Sequence, residues 1–286
     1  MENALALGTF DGLHKGHMSV VKAAISSGLR SIAVIFADPP AASLLNKKHA
    51  NILDPLKKIE LLKNEGINEV EVLEFKRVKD LSAQQFLEYL NNKYAPKKIC
   101  CGFNYTFGKE KSGNVHTLKL FCKENNIELF VAEEVKVGDT TVSSSLIRGF
   151  IQNGEVNKAN SYLLVPFGFK AQVTHGDERG RTIGFPTINQ IYPENLVLAR
   201  FGVYASRCII DGKEYKSVTN IGLRPTFKND YVTAETHILN FSGDAYGQNI
   251  SIILDSFLRD EIRFDNIEQL KNQINIDIKT ANGGEI

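Results

Sequence analysis

The chain has almost no electrostatic bias: 34 Lys and Arg against 33 Asp and Glu leave a formal net charge of +1. No general field draws it to nucleic acid or to an acidic membrane, and neither is expected as a partner. Cysteine is scarce. The four are Cys100, Cys101, Cys122 and Cys208, with no C-x-x-C pair among them. Adjacent residues of a strand point to opposite faces, so Cys100 and Cys101 cannot act together there. All four are expected to be reduced and mostly buried, without structural zinc. No apolar run reaches the length that spans a bilayer. Met1 to Ala6 enters an apolar strand without a basic region or cleavage site, so the expected compartment is the cytoplasm. Internal repeats and low-complexity linkers are also missing. What remains is ordinary globular composition, 43% apolar and 23% charged, in 286 residues. That length holds one large domain or two ordinary ones.

The first half alternates strands and helices. Ala4–Thr9, Ser31–Phe36, Glu69–Phe75, Ile99–Gly102 and Ile127–Ala132 read as strands. Helices are expected over His17–Ser27 and around Leu118–Lys123. Another has Asp54 as N-cap, Pro55 at its first position and Gly66 past its end. Its apolar face is expected to carry Leu56, Ile59 and Leu62. Ser82 and Gln85 form a capping box for a helix bearing Phe86, Leu87, Leu90 and Tyr94. This alternation predicts a parallel sheet covered by helices on both faces. After about Leu164 the rhythm changes to short β-type runs: 169–174, 202–210, 215–221, 233–240 and 249–254. Asp211-Gly212 between two of them is a hairpin signal. Helical spacing returns in Ile267, Leu270 and Ile274. The second half therefore reads as a small antiparallel barrel or sandwich with a C-terminal helix.

The densest chemical signal is the run Gly8-Thr9-Phe10-Asp11-Gly12-Leu13-His14-Lys15-Gly16-His17, where the first strand meets the first helix. That turn lies at the carboxyl edge of a parallel sheet, the usual ligand crevice. A helix N-terminus offers N–H groups and partial positive charge to phosphate, and histidines add donors. Two other readings compete: a metal pair, for which no nearby ligand completes a set, and a purely structural glycine turn.

The run resembles the HxGH nucleotidyltransferases, and as a whole string the prokaryotic FAD synthetases. The resemblance implies that His14 and His17 contact ATP phosphates during adenylyl transfer, with Gly8, Phe10, Asp11, Gly12 and Gly16 around them. Gly102-Phe103-Asn104-Tyr105-Thr106-Phe107-Gly108 resembles the same family's GxNFxFG signature and implies a nucleotide or flavin contact for Asn104. Val142-Ser143-Ser144-Ser145-Leu146-Ile147-Arg148 resembles its ISSTxIR signature and implies an anion site at Ser144, Ser145 and Arg148. Where the family usually has Phe-x-Pro-His-Pro, this chain reads Phe36-Ala37-Asp38-Pro39-Pro40. The missing histidine alters the flavin side of this site.

The second half opens with His175-Gly176-Asp177-Glu178-Arg179-Gly180-Arg181-Thr182-Ile183-Gly184-Phe185-Pro186-Thr187-Ile188-Asn189, which resembles the riboflavin kinase signature G-x-x-x-G-R-x-x-G-x-P-T-x-N. The resemblance implies ATP contacts at Gly180, Arg181 and Gly184. It also implies Mg²⁺ ligation by Thr187 and Asn189, hard oxygens that suit this ion. Within Ala234-Glu235-Thr236-His237, it implies that Glu235 activates the attacking ribityl hydroxyl. Asn220-Ile221-Gly222-Leu223-Arg224-Pro225-Thr226 and Leu258-Arg259-Asp260-Glu261 resemble further kinase segments, with Arg259 and Asp260 bordering the flavin.

Across the chain, the resemblance implies a Rossmann-like α/β nucleotidyltransferase domain (1–162) followed by an antiparallel β-barrel riboflavin kinase domain with a C-terminal helix (163–286). Riboflavin, FMN, FAD and ATP are the implied substrates and products, and homo-oligomerisation is left open. Two rival functions stand beside this one: a kinase with a vestigial transferase, and a non-enzymatic flavin sensor. The sensor needs neither a base nor metal ligands, which Glu235, Thr187 and Asn189 would supply.

Overall fold

A computed structural model describes residues 2–36, 50–176, 179–224 and 231–283. Ala37 to Pro40, Asp177-Glu178 and Pro225-Thr226, singled out above, lie outside them. The chain divides into two compact units, Met1–Ser144 and Ser145–Ile286.

In the first unit, β1 (Asn3–Leu7), β2 (Arg30–Phe36), β3 (Glu69–Leu73), β4 (Pro96–Gly102) and β7 (Glu128–Ala132) form a parallel sheet in the order β3-β2-β1-β4-β7. Two short hairpins unforeseen from sequence, β5 (Thr106–Phe107) with β6 (Gly113–Asn114) and β8 (Lys136–Val137) with β9 (Thr140–Thr141), supply the intervening numbers. The central strand β1 has alternate faces. Leu5 and Leu7 join one core cluster with Ile32, Val34, Ile99 and Cys101. Helices α3 (Ala83–Tyr94) and α4 (Val115–Glu124) cover that side with Phe86, Leu87, Leu90, Tyr94, Leu118 and Phe121. Helix α1 (Lys15–Ile25) packs against β1 and β4. The small side chains of Ala4 and Ala6 suit that close approach. The capping box is present: Gln85 N–H donates to Ser82 Oγ at 3.2 Å, and Ser82 N–H donates to Gln85 Oε1 at 2.9 Å.

Two expectations are corrected here. The third strand ends at Leu73, because Phe75–Val78 turns helical and sets the Phe75 ring edge-on to Phe36 at 5.6 Å. In α2 (Pro55–Asn64), Leu56 is 77% exposed, while Lys58 and Leu62 are the buried residues. Ile59 is half-buried, so the expected stripe fails only at Leu56, and a lysine occupies the inner edge.

The second unit contains a closed six-stranded barrel: β10 (Gly168–Thr174), β11 (Ile188–Ile191), β14 (Tyr231–Ile238), β13 (Lys213–Arg224), β12 (Gly202–Ile210) and β15 (Asn249–Arg259), with β15 returning to β10. Closure removes exposed edges. Ile210 pairs with Lys213 across Asp211-Gly212, whose φ values of 49° and 77° suit a type I′ turn. Ala234 and Thr236 of β14 are fully buried in the interior, with Ile221, Ile252 and Leu254. A polar chain runs among them, Ser206 to Thr219 at 2.8 Å and Thr219 to Thr236 at 2.9 Å, so these hydroxyls satisfy one another. The chain enters the barrel after α5 (Ser144–Gln152) and α6 (Val156–Tyr162), and α7 (Ile267–Ala281) packs against β12 and β13. All four cysteines are unpaired and buried. Burial pushes the Cys100, Cys101 and Cys208 thiols up to about 12, which makes them unreactive.

Candidate functional site

The parallel sheet reverses its direction of growth at β1: β2 lies on one side and β4 on the other. Ligands of such sheets bind at the carboxyl ends of the strands flanking that reversal. The turn after β1 holds Gly8 to His14, and the turn after β4 holds Asn104, which is exposed. Between Leu7 and Lys15 the backbone takes left-handed values at Phe10 (φ 49°), Gly12 (φ 82°) and Leu13 (φ 44°). Phe10 and Leu13 are both fully buried, so packing holds a conformation that non-glycine residues avoid. Asp11 is 5% exposed and accepts from Ile52 N–H at 2.9 Å. Ser144 Oγ donates to the Asp11 carbonyl at 3.0 Å, bringing the start of α5 to the same turn. Ser145, exposed, and Arg148, half-buried, follow on that helix within the second unit.

His14 caps α1: its Nδ1 accepts from His17 N–H at 3.3 Å. An accepting Nδ1 leaves the proton of the neutral ring on Nε2, where it can be donated to an anion. The two rings stack with centroids 3.6 Å apart, and Phe10 meets His17 edge-on at 5.4 Å. Stacked imidazolium ions would repel, and burial favours the neutral forms. Desolvation lowers His14 to about 4 and outweighs its backbone hydrogen bond. Desolvation also drives His17 well below 6.5, helped by the charges of His14 and Lys58. His17 Nδ1 is buried and has no hydrogen-bond partner among the described residues. The pair is therefore a neutral, desolvated donor set, suited to hydrogen bonding with a phosphate.

A pH dependence follows. His14 titrates near 6.5 when unfolded and near 4 when folded, so between those values the unfolded chain binds the extra proton. Its contribution is complete above pH 6.5 and is lost as pH falls towards 4. At 1.36 kcal/mol per unit this amounts to about 3 kcal/mol. Denaturant unfolding between pH 4 and 7 should give a steeper stability slope for the parent chain than for His14→Gln. Equal slopes would remove His14 as the source.

One buried charge near this turn escaped the sequence reading. Lys58 is 5% exposed, and its Nζ donates to the Thr9 carbonyl at 3.0 Å. Burial lowers its pKa, opposed by the charge of Asp11. The signal was its spacing, four residues before buried Leu62.

In the barrel, Asn189 of β11 pairs directly with Glu235 of β14, and Glu235 pairs with Asn220 of β13. Direct partners share a face, here the one opposite the interior residues Ala234 and Thr236. The Oδ1 atoms of Asn189 and Asn220 are both buried without a hydrogen-bond partner among the described residues. Asn220 Nδ2 donates to Glu261 at 3.2 Å, which fixes how its amide is turned. A Cβ at Gly176 would collide with the Asn189 carboxamide, so glycine allows the loop after β10 to lie over it. Thr187 is half-buried just before β11, and the Gly180–Gly184 turn, with Arg181 exposed, precedes it. His237, on the same face as Glu235, has its Nδ1 2.8 Å from the Pro186 carbonyl.

Arg259 has a structural partner. Its guanidinium grips Asp277 of α7 with two parallel bonds, Nε to Oδ1 at 3.0 Å and Nη2 to Oδ2 at 2.8 Å. Asp260 pairs with Arg200 at 2.8 Å on the surface. The Asp277 side chain is 5% exposed, so removing its partner strands a buried carboxylate. Arg259→Met should lower unfolding free energy by about 3 kcal/mol, the low end for a broken buried pair because Gln273 still donates to Asp277 at 3.0 Å. Urea denaturation measures it, and a loss below about 1 kcal/mol would mean that the pair holds little of the helix.

Two family models match the two halves in turn, and relatives match nearly the whole chain. The FAD synthetase family model matches residues 1–146, and the riboflavin kinase model matches residues 163–283. A bifunctional riboflavin kinase/FMN adenylyltransferase of Listeria monocytogenes is 32% identical over 97% of this chain and 90% of its own length. One from Bacillus subtilis is 33% identical over 98% and 92%, and one from Escherichia coli 30% over 97% and 91%. A solved Streptococcus pneumoniae structure, titled a macrolide-efflux protein, has a TM-score of 0.91 and 29% identity, covering 99% of this chain and 95% of that one. Among the described residues of this chain, no helix is long and apolar enough to cross a membrane.

Proposed function

Since the chain belongs to the family of bifunctional riboflavin kinase/FMN adenylyltransferases, we propose that it makes FMN from riboflavin in its barrel and FAD from FMN in its Rossmann-like half, consuming ATP in both. The observation that carries the kinase assignment is the direct pairing of Asn189 with Glu235, beside an orphaned, buried Asn189 Oδ1. An acceptor left unpartnered there fits a hard cation, and Thr187 and Asn189 would hold Mg²⁺. When bound, the ion would neutralise ATP phosphate charge. Glu235 takes the proton of the ribityl hydroxyl as its oxygen bonds to the γ-phosphorus and ADP leaves. Positioning is most of the work in such transfers. Gly180, Arg181 and Gly184 are assigned to the ATP phosphates.

In the first half, a phosphate oxygen of FMN attacks the α-phosphorus of ATP, and pyrophosphate departs. His14 and His17 stabilise the departing charge by donating hydrogen bonds, without a covalent intermediate. Gly8, Phe10, Asp11, Gly12 and Gly16 shape the turn, and Ser144, Ser145 and Arg148 are assigned to the same nucleotide. Asn104 is assigned to the flavin of this half. Arg259 and Asp260 border the flavin of the other, Arg259 through its stem and backbone because its guanidinium is held by Asp277. The working boundary is 1–162 and 163–286, and four unpaired cysteines suit the reducing cytoplasm.

Incubation with riboflavin, Mg²⁺ and ATP, followed by chromatography, should show FMN first and FAD after it. FMN alone would mark the transferase half as vestigial, and bound but unaltered riboflavin would mark a sensor.

A further inference from the structure

A buried lysine needs a reason. The Lys58 ammonium is 5% exposed, and its hydrogen bond goes to the Thr9 carbonyl inside the turn that carries His14 and His17. It has three N–H donors, and among the described residues one is used. Desolvating an ammonium costs several kcal/mol unless a partner compensates. The charge of Asp11 acts on it and offsets part of that cost, and the same carboxylate accepts from Ile52 N–H. Apolar packing alone gives no reason for the charge, since a leucine or methionine would fill this edge of α2 without desolvating an ammonium. A cation is what a phosphate-binding turn needs when its two histidines are neutral. Lys58 also acts on His17 across the turn, its charge helping to keep that ring unprotonated.

Resting on the adenylyl-transfer reading above, we propose that Lys58 supplies the buried positive charge of the first site, holding the Thr9–Asp11 turn in place and stabilising the ATP triphosphate and the departing pyrophosphate. It is a positioning residue, acting through the turn and through its field. A charge fixed at low exposure is screened little by solvent or salt, so a single cation there has a large effect.

The test separates charge from hydrogen bonding on the full chain. Lys58→Gln can still donate to Thr9 O but carries no charge, Lys58→Met does neither, and Lys58→Arg keeps the charge. FAD formation from supplied FMN is measured with ATP varied, together with inhibition by pyrophosphate. Formation of FMN from riboflavin is the internal control, and FAD formation by the parent chain establishes the underlying reading first. Both neutral variants should lose roughly 10²-fold in kcat/KM for ATP, the scale for one lost electrostatic stabiliser, and should bind pyrophosphate correspondingly less well. FMN formation should be unchanged, and Lys58→Arg should recover at least part of the loss. A Lys58→Gln enzyme with parent-like kcat/KM and pyrophosphate affinity would overturn the proposal, because the hydrogen bond alone would then be enough. So would a folded Lys58→Met enzyme of unchanged activity.

Discussion

Glu235→Gln is expected to slow phosphorylation of riboflavin by about 10² to 10⁴-fold, the usual contribution of a general base. The substitution keeps the size of the side chain and its place between Asn189 and Asn220 while removing the proton acceptor. The face around it should therefore survive, and affinity for riboflavin and Mg²⁺-ATP should change little. A loss confined to turnover is the mark of an interaction made in the transition state. FAD formation from supplied FMN should continue at the parent rate, because that reaction is assigned to the other half. Steady-state kinetics of both half-reactions on one preparation decide the matter. Parent-like kinase turnover would remove Glu235 from the mechanism.

His17→Ala should have the complementary effect, lowering FAD formation from FMN by roughly 10²-fold or more while FMN formation stays the same. The ring is held by a stack on His14 at 3.6 Å and an edge contact with Phe10 at 5.4 Å, so its place is fixed before substrate arrives. Alanine removes both the donor and the wall of the His14 ring. His17→Asn restores a shorter donor and should recover part of the rate. A melting curve guards against a folding defect. An equal fall in both half-reactions would mean that the damage extends beyond this site.

Much of this architecture was legible in the residues because local signals carried it. Asp211-Gly212 announced its turn, Ser82 and Gln85 their capping box, and the Gly8–His17 run its place at the head of α1. What stayed hidden depended on pairing across the fold. Ile188–Ile191 is not among the β-type runs legible in the sequence and becomes a strand only through its bonds to β10 and β14. Nothing local to Asn189 or Glu235 says that they are direct partners. In α2 the spacing of Leu56, Ile59 and Leu62 holds at buried Leu62 and fails at exposed Leu56, while Lys58 takes a buried place that its charge argues against. Arg259 was read by its motif, whereas its partner Asp277 belongs to a helix whose docking only tertiary structure reveals.

The central claim is that one chain performs two ATP-dependent steps in series, and the fate of two ATP phosphates tests it most directly. Phosphoryl transfer to riboflavin moves the γ-phosphate, and adenylyl transfer to FMN moves the α-phosphate. With riboflavin as the only flavin supplied, ATP labelled at the γ-position should label both FMN and FAD. ATP labelled at the α-position should label FAD but not FMN. FAD carrying neither label, or FMN formed without FAD at any time or ATP concentration, would contradict the account.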